Sequence, residues 1–353
     1  MRRVAASLAA ALLALAAAGC GEDGAEPDAP SRGATLVLDF QPNAVHSGLY
    51  AAKARGFFEG EDVDLEIREP SGTADGAKLL EAGRADFAIL DISDFGIARV
   101  RGLDLVAIAA IVQRPLASVI ARDRTAIRTP ADLAGRTVGV TGVPSDDAVL
   151  DTILRFGGRE PDSVERVTIG FNAVSALAAG KIDAATAFWN AEGVELTQLG
   201  LPVREFRVDE YGAPRYPELV LAARRDAVPA QLEPDGLACA VLRGLERGYG
   251  ELLDDPDAAL DDLLDVVPGT DPDAQKPQMA TLVGASAFSH SAGKTPASAS
   301  LSDRALAAWQ RWSVETGLIG TTARTGLVSE GFRPGLLPAC VKAGAGEPAA
   351  APG

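Results

Sequence analysis

Leu80-Glu81-Ala82-Gly83-Arg84-Ala85-Asp86-Phe87-Ala88 is echoed later in the chain by Ala178-Ala179-Gly180-Lys181-Ile182-Asp183-Ala184-Ala185. In both, a helix is expected to end at glycine, a basic residue follows, and an aspartate opens an apolar strand. The runs that come next, Leu90-Asp91-Ile92-Ser93-Asp94 and Phe188-Trp189-Asn190-Ala191-Glu192, then stand at equivalent strand ends of two similar lobes. Facing each other, they form a cleft. A helix–glycine–strand joint recurs in any α/β protein, so the surrounding pattern has to carry the rest of the reading.

Outward from the first copy, residues 35–40 alternate as a strand, Asn43 can cap a helix over 44–55, and 63–69 alternates again. Residues 76–82 and 93–100 read as helices, 86–90 and 105–112 as apolar strands. Around the second copy, Thr129 caps 130–134, strands fall at 137–140 and 164–169, and helices at 146–156 and from Asn172 to 179. Both units alternate strand and helix, which predicts an α/β fold with two doubly wound, largely parallel lobes. Two extended apolar segments, 118–122 going out and 216–223 returning, are what a two-strand hinge requires. After residue 224 the chain is helical over 236–253, 256–264 and 303–317, and these helices are expected to pack on the first lobe. Lobe 1 is then discontinuous, 34–117 with 224–340, lobe 2 is 123–215, and 341–353 reads as a disordered tail. Trp309 and Trp312 are expected in the core.

Met1-Arg2-Arg3 followed by a small-apolar run to Ala18 is too short to span a bilayer and reads as a signal peptide over 1–19. Cys20 at its end resembles the acylated cysteine of a bacterial lipoprotein, ordinary secretion being the alternative. Residues 20–33, rich in Gly, Asp, Glu and Pro, form a flexible tether. The expected location is the extracytoplasmic face of the cell membrane. A net charge of −16 argues against a nucleic-acid partner, which needs a basic footprint. Cys239 and Cys340, an even pair in an exported setting, are candidates for a disulfide. With His46 and His290 the only histidines, no metal site is expected, and no nucleophile or phosphate-loop motif is present. No cofactor is expected.

Aromatics make up only 5% of the chain, so their clustering with polar groups at strand ends stands out. Such ends are where open α/β sheets bind ligands. Phe40 and Trp189 offer ring faces, Asn43 and Asn190 paired donors and acceptors, Asp39 and Glu192 acceptors for an amine. His46, Asp91 and Gln113 complete the candidate set. Each has a plain structural alternative. Trp189 can be a core residue, Glu192 a helix-dipole partner, Asn43 and Asp91 helix caps, Asp39 a turn former and His46 a buried histidine. The chemistry is that of a small nitrogen heterocycle site rather than an anion site.

At this point the chain resembles the bacterial substrate-binding lipoproteins for thiamine pyrimidine precursors, whose family also contains the yeast pyrimidine-precursor synthase. The matching stretches are Leu38-Asp39-Phe40-Gln41-Pro42-Asn43-Ala44-Val45-His46, Ala110-Ile111-Val112-Gln113-Arg114-Pro115-Leu116, Phe188-Trp189-Asn190-Ala191-Glu192-Gly193-Val194-Glu195-Leu196, and 211–220. The resemblance implies a type II periplasmic-binding-protein fold and no enzymatic activity. It also implies a formylaminopyrimidine or hydroxymethylpyrimidine between the lobes, with an ABC permease and its ATPase as partners of a monomer. Two other readings stay open. One keeps the fold and binds a sulfonate or nitrate-like anion, for which Arg114 and Arg215 adjoin the motifs. The other is a synthase in which a histidine at the position of His46 is consumed, a chemistry that needs pyridoxal lysine and iron, the nearest lysine being Lys53. If Cys20 is the acylation site, wild-type protein labels with palmitate in membranes and Cys20→Ser protein does not. Labelling of the serine variant would exclude this site.

Overall fold

The two aspartates of the echo do the same work in each half of the molecule. Asp86 Oδ2 accepts from the Thr35 N–H (2.9 Å) while its own N–H donates to Thr35 O (3.0 Å). Asp183 Oδ2 accepts from the Thr137 N–H (3.0 Å) and its N–H donates to Thr137 O (2.9 Å). Each pair fixes the strand that carries the threonine beside the strand that follows the glycine. Gly83 (φ 63°) and Gly180 (φ 70°) supply the left-handed turn that brings the aspartate round, a conformation a Cβ would strain.

These contacts belong to a computed structural model that describes residues 31–320 apart from 73–74, 124–125, 229–232, 234 and 290–300, and residues 329–344 apart from 335. From Ser31 onward it is one compact unit. The signal peptide, Cys20, His290 and the last nine residues lie outside the described residues.

Lobe 1 holds β1 (Arg32–Val37), β2 (Val63–Arg68), β3 (Phe87–Asp91), β4 (Leu105–Val112) and β10 (Leu219–Arg224), in the order β2-β1-β3-β10-β4. Lobe 2 holds β5 (Ala117–Arg122), β6 (Thr137–Val140), β7 (Glu165–Thr168), β8 (Ala184–Phe188) and β9 (Val203–Arg207), in the order β7-β6-β8-β5-β9. The two orders are equivalent. In each sheet one strand is antiparallel to both neighbours, β10 between β3 and β4, and β5 between β8 and β9.

Those inserted strands are the segments expected to form the hinge. Residues 118–122 lie within β5 and 219–223 within β10, and the chain crosses between lobes at 113–116 and 208–218. The physical reason is burial on both faces: Val119, Ile120, Ala121, Val220, Leu221 and Ala222 are buried, a pattern suited to a central strand rather than an exposed connector. Arg32 and Gly33, expected in the tether, open β1 opposite Val63 and Asp64.

Helices α1 (Ser47–Ala54), α2 (Asp75–Glu81) and α3 (Ile92–Val100) connect lobe 1, and α4 (Pro144–Phe156), α5 (Ala173–Ala179) and α6 (Glu192–Gln198) connect lobe 2. The later chain adds α7 (Leu237–Asp254), α8 (Pro256–Val266), α9 (Pro272–Gly284), α10 (Asp303–Glu315) and α11 (Leu336–Gly344). Helix α7 lies tightly on α1: a Cβ on Gly248 would sit 2.1 Å from Gly48 O. Tyr249 Oη completes the joint by donating to Val45 O (2.9 Å).

Not all the late helices stay on lobe 1. Trp312 of α10 stacks on Tyr216 and donates from Nε1 to Thr152 Oγ1 of α4 (2.9 Å), so α10 bridges both lobes. Nor is the end of the chain a tail from residue 341, because α11 continues to Gly344. It is tied down by a disulfide between Cys340 and Cys239 of α7, Cα–Cα 5.1 Å. The bond closes a loop with a sequence separation of 101. By chain entropy, such a loop contributes roughly 4–5 kcal/mol. Urea unfolding of the paired Cys239→Ser, Cys340→Ser variant should show a loss of that order, and an unchanged midpoint would contradict it.

Candidate functional site

The carboxyl ends of β1, β3 and β8 open onto one cavity of about 330 Å³ between the lobes. Asp39, Phe40 and Asn43 reach it from the turn after β1, Asp91 and Asp94 from the β3–α3 junction, and Asn190 and Glu192 from the β8–α6 junction. The β3 and β8 ends are the pair that the echo makes equivalent. Thr141 and Ser145, Phe171, Glu218, Gln275 and Gln278 complete much of the wall.

Its electrostatics are one-sided. Asp39, Asp91, Asp94, Asp146, Glu192 and Glu218 line the cavity, and among the described residues no lysine, arginine or histidine does. Glu218 and Asp91 are hydrogen-bonded to each other, which requires a proton between them. Glu218 Oε2 also accepts from the Leu116 N–H (2.5 Å), and Asp91 Oδ1 from the Ser93 N–H (2.6 Å). Burial pushes both carboxyls upward, with the charge of Asp91 adding to the effect on Glu218. Glu192 is raised by burial too, although its Oε2 accepts from the Phe188 N–H (3.0 Å). Asp146 is held by the Thr141 N–H (2.5 Å) and hydroxyl (2.6 Å).

The aromatic walls are Phe40 on lobe 1 and Phe171 and Phe188 on lobe 2, exposed by 47, 65 and 37%. Phe40 and Phe171 meet across the mouth with ring centroids 6.1 Å apart. Gln198 Nε2 of α6 donates to Asp273 O of α9 (2.5 Å), a further contact between the lobes.

Three expected residues stand elsewhere. Trp189 does not face the cavity: it is fully buried, its indole donates to Pro115 O (2.9 Å), and Arg207 covers one face at 4.2 Å. Its backbone N–H is bonded to Leu116 O, so the chain direction that exposes Phe188 turns its neighbour into the crossing. His46 is fully buried beneath Asp39. Nδ1 accepts from the Asn43 N–H (3.2 Å), which assigns the proton to Nε2, the donor to Asp39 Oδ1 at 2.8 Å. Gln113 is buried at a separate hollow shared with Arg215 and Arg304. Asn43 lines the cavity and also caps the turn into α1, accepting from the Val45 N–H (3.0 Å).

Sequence reasoning missed Phe188, Phe171, Asp94, Glu218, Gln275 and Gln278. Strand alternation from buried Ala184 would have separated Phe188 from Trp189. Asp94 was visible as the acidic end of the Leu90–Asp94 strand-end run. The glutamines had no signal, since α9 carries Pro277 inside it and spreads its apolar residues around the helix.

Residues 43–259 match the family described as NMT1/THI5 like. A formylaminopyrimidine-binding protein of Halalkalibacterium halodurans is 32% identical over 260 residues, 73% of this chain and 77% of that protein. A 4-amino-5-hydroxymethyl-2-methylpyrimidine phosphate synthase of Legionella pneumophila subsp. pneumophila is 28% identical over 176 residues, 50% of this chain and 55% of that protein. The alkanesulfonate-binding protein SsuA of Xanthomonas axonopodis pv. citri, solved with MOPS, superimposes with a TM-score of 0.64 over 86% of this chain and 99% of that one. At 19% identity that likeness is one of fold, and it identifies the fold as that of the periplasmic binding proteins.

Burial, helped by the charge of Asp91, pushes Asp94 up to about 7 from an ordinary 3.8. The folded chain therefore keeps a proton that the unfolded chain has released. Stability is fully present below the unfolded value and is lost as the pH rises towards about 7. Asp94→Asn removes this loss, so its melting temperature should gain on the parent by several degrees between acidic and mildly alkaline buffer. A constant difference across that range, read by calorimetry, would contradict the assignment.

Proposed function

The chain belongs to the NMT1/THI5-like family, and we propose that it is the extracytoplasmic solute-binding protein of an ABC importer, capturing a thiamine-related aminopyrimidine between its lobes and delivering it to the permease. The observation that carries this reading is the cavity lining: six carboxyl groups, two buried amides and three phenyl rings, with no cationic side chain among the described residues. An aminopyrimidine offers a flat ring and an exocyclic amine, and this wall offers stacking faces and acceptors. The relative named for binding formylaminopyrimidine supports the same ligand class.

A sulfonate or nitrate would need cationic or backbone donors turned inward. Arg114 is instead engaged by Asp209 (2.8 Å) and Glu210 (2.5 Å), and Arg215 donates to Ser286 O (2.8 Å). The synthase reading finds little support in the residues it needs. His46 is closed off beneath Asp39, and Lys53 donates to Leu65 O (2.6 Å) without lining the cavity. None of the described helices is long and apolar enough to cross a membrane. Attachment through an acylated Cys20 and an extracytoplasmic location remain part of the proposal.

In this reading the ring enters between Phe40, Phe171 and Phe188, and Glu192 accepts from the amine. Closure removes water from both, so a charge-assisted bond contributes roughly 1.5–3 kcal/mol. Titration calorimetry should show binding of formylaminopyrimidine or hydroxymethylpyrimidine and no preference for taurine or nitrate. Glu192→Gln and Phe188→Ala should each weaken it about tenfold. Trp189→Ala should act differently, lowering unfolding free energy by about 3–5 kcal/mol because it empties a sealed core position. A preference for taurine, or wild-type affinity in both cleft variants, would reject the reading.

A further inference from the structure

Most carboxyls in this cavity are already engaged by the protein. Asp39 receives His46, Asp146 the Thr141–Gly142 turn, Glu192 the Phe188 N–H, and Asp91 and Glu218 each other and nearby N–H groups. Asp94 differs: it lines the cavity on the first turn of α3 and makes no hydrogen bond or ion pair among the described residues. A second unengaged group lines the same cavity from lobe 2. Asn190 is only 3% exposed, and its Oδ1 has no partner. Leaving a buried amide oxygen unpaired is costly, and a ligand between the lobes removes that cost.

We propose that Asp94 is the specificity-determining residue of the cleft, its carboxyl sharing one proton with a ring nitrogen of the ligand while accepting from the amino group beside it. This inference rests on the aminopyrimidine reading and deepens it, because it names the edge recognised: a ring nitrogen adjacent to an exocyclic amine. The balance is simple. One proton, already carried by Asp94 below about pH 7 and taken from solvent above it, lies between carboxyl and ring nitrogen in the complex, whether drawn as acid and neutral ring or as carboxylate and protonated ring. No other bond is made or broken.

The surroundings favour such sharing. Asp91 and Asp39 face Asp94 from their strand end and turn and disfavour a bare carboxylate, with Glu218 behind Asp91 and His46 behind Asp39. Arg101, at the far end of α3, opposes them weakly. Across the cavity Glu192 and Asp146 add negative charge, and Tyr216 adds a neutral phenol. The retained proton that burial gives Asp94 is thus available to a basic ring nitrogen.

The test is calorimetry of the full mature chain with 4-amino-2-methylpyrimidine and with 2-methylpyrimidine, across pH 6 to 9, in two buffers of different ionisation enthalpy. The parent should take up close to one proton on binding above pH 8, and its affinity for the amino compound should fall towards tenfold per pH unit there. The compound lacking the amine should bind at least tenfold more weakly. Asp94→Asn can pair with the neutral edge without a proton, so its affinity should be flat with pH. A flat parent profile, or an Asp94→Asn variant that keeps the parent's slope and proton uptake, overturns this inference and leaves the aminopyrimidine reading standing. Absence of binding by any aminopyrimidine at any of these pH values instead overturns that reading.

Discussion

One buried carboxyl holds the two halves of this molecule in register. Glu218 is 3% exposed and stands where the returning chain enters β10. Its N–H donates to Val112 O, its carbonyl accepts from the Ile92 N–H, and its side chain accepts from the Leu116 N–H. It therefore touches the outgoing crossing, the returning crossing and the strand end that carries Asp91. A carboxyl so enclosed is tolerable only when every lone pair is used and the group is kept neutral or shared, which its hydrogen bond to Asp91 achieves. The cavity floor and the joint between lobes are consequently the same set of bonds.

That arrangement explains why the site is acidic without being a metal cage. Among the described residues no group of histidine, cysteine or carboxylate side chains is placed to hold an ion. The carboxyls are spread over strand ends and turns, with Asp91, Asp146, Glu192 and Glu218 anchored by backbone N–H groups, so they present separate acceptors along the wall. Trp189 completes the joint from the other side: Arg207 lies over its ring, and its indole N–H holds Pro115 in the outgoing crossing. The residue that sequence places in the ligand's path instead sets where Phe188, Asn190 and Glu192 stand.

The lobes were readable because local signals agreed with the global pattern. β4 and β6 fall on the expected residues, 105–112 and 137–140, since each is an apolar run bounded by turn formers. The echo located both cleft-facing strand ends. What escaped was decided by long-range pairing: 118–122 and 219–223 look like connectors, and only the sheets show them as inserted central strands. Within the site, Asp39, Phe40, Asn43, Asp91, Asn190 and Glu192 were brought to one cavity. His46 and Trp189 went elsewhere because their ring nitrogens bond the backbone as readily as a ligand, and Gln113 is buried at a separate hollow. Gln275 and Gln278 arrive on a helix whose irregular pattern gave no warning.

The insertion of β10 between β3 and β4 also orders events in time. β4 has no neighbour in its own sheet until the chain has passed residue 224. All five strands of lobe 2, by contrast, are contiguous in sequence from Ala117 to Arg207. During synthesis the second-encoded lobe can close first, while the first-encoded lobe waits with an open edge for a strand that has yet to emerge. The cavity exists only after that late strand is seated, so a chain stopped anywhere before it carries most of the cleft's side chains without the cleft.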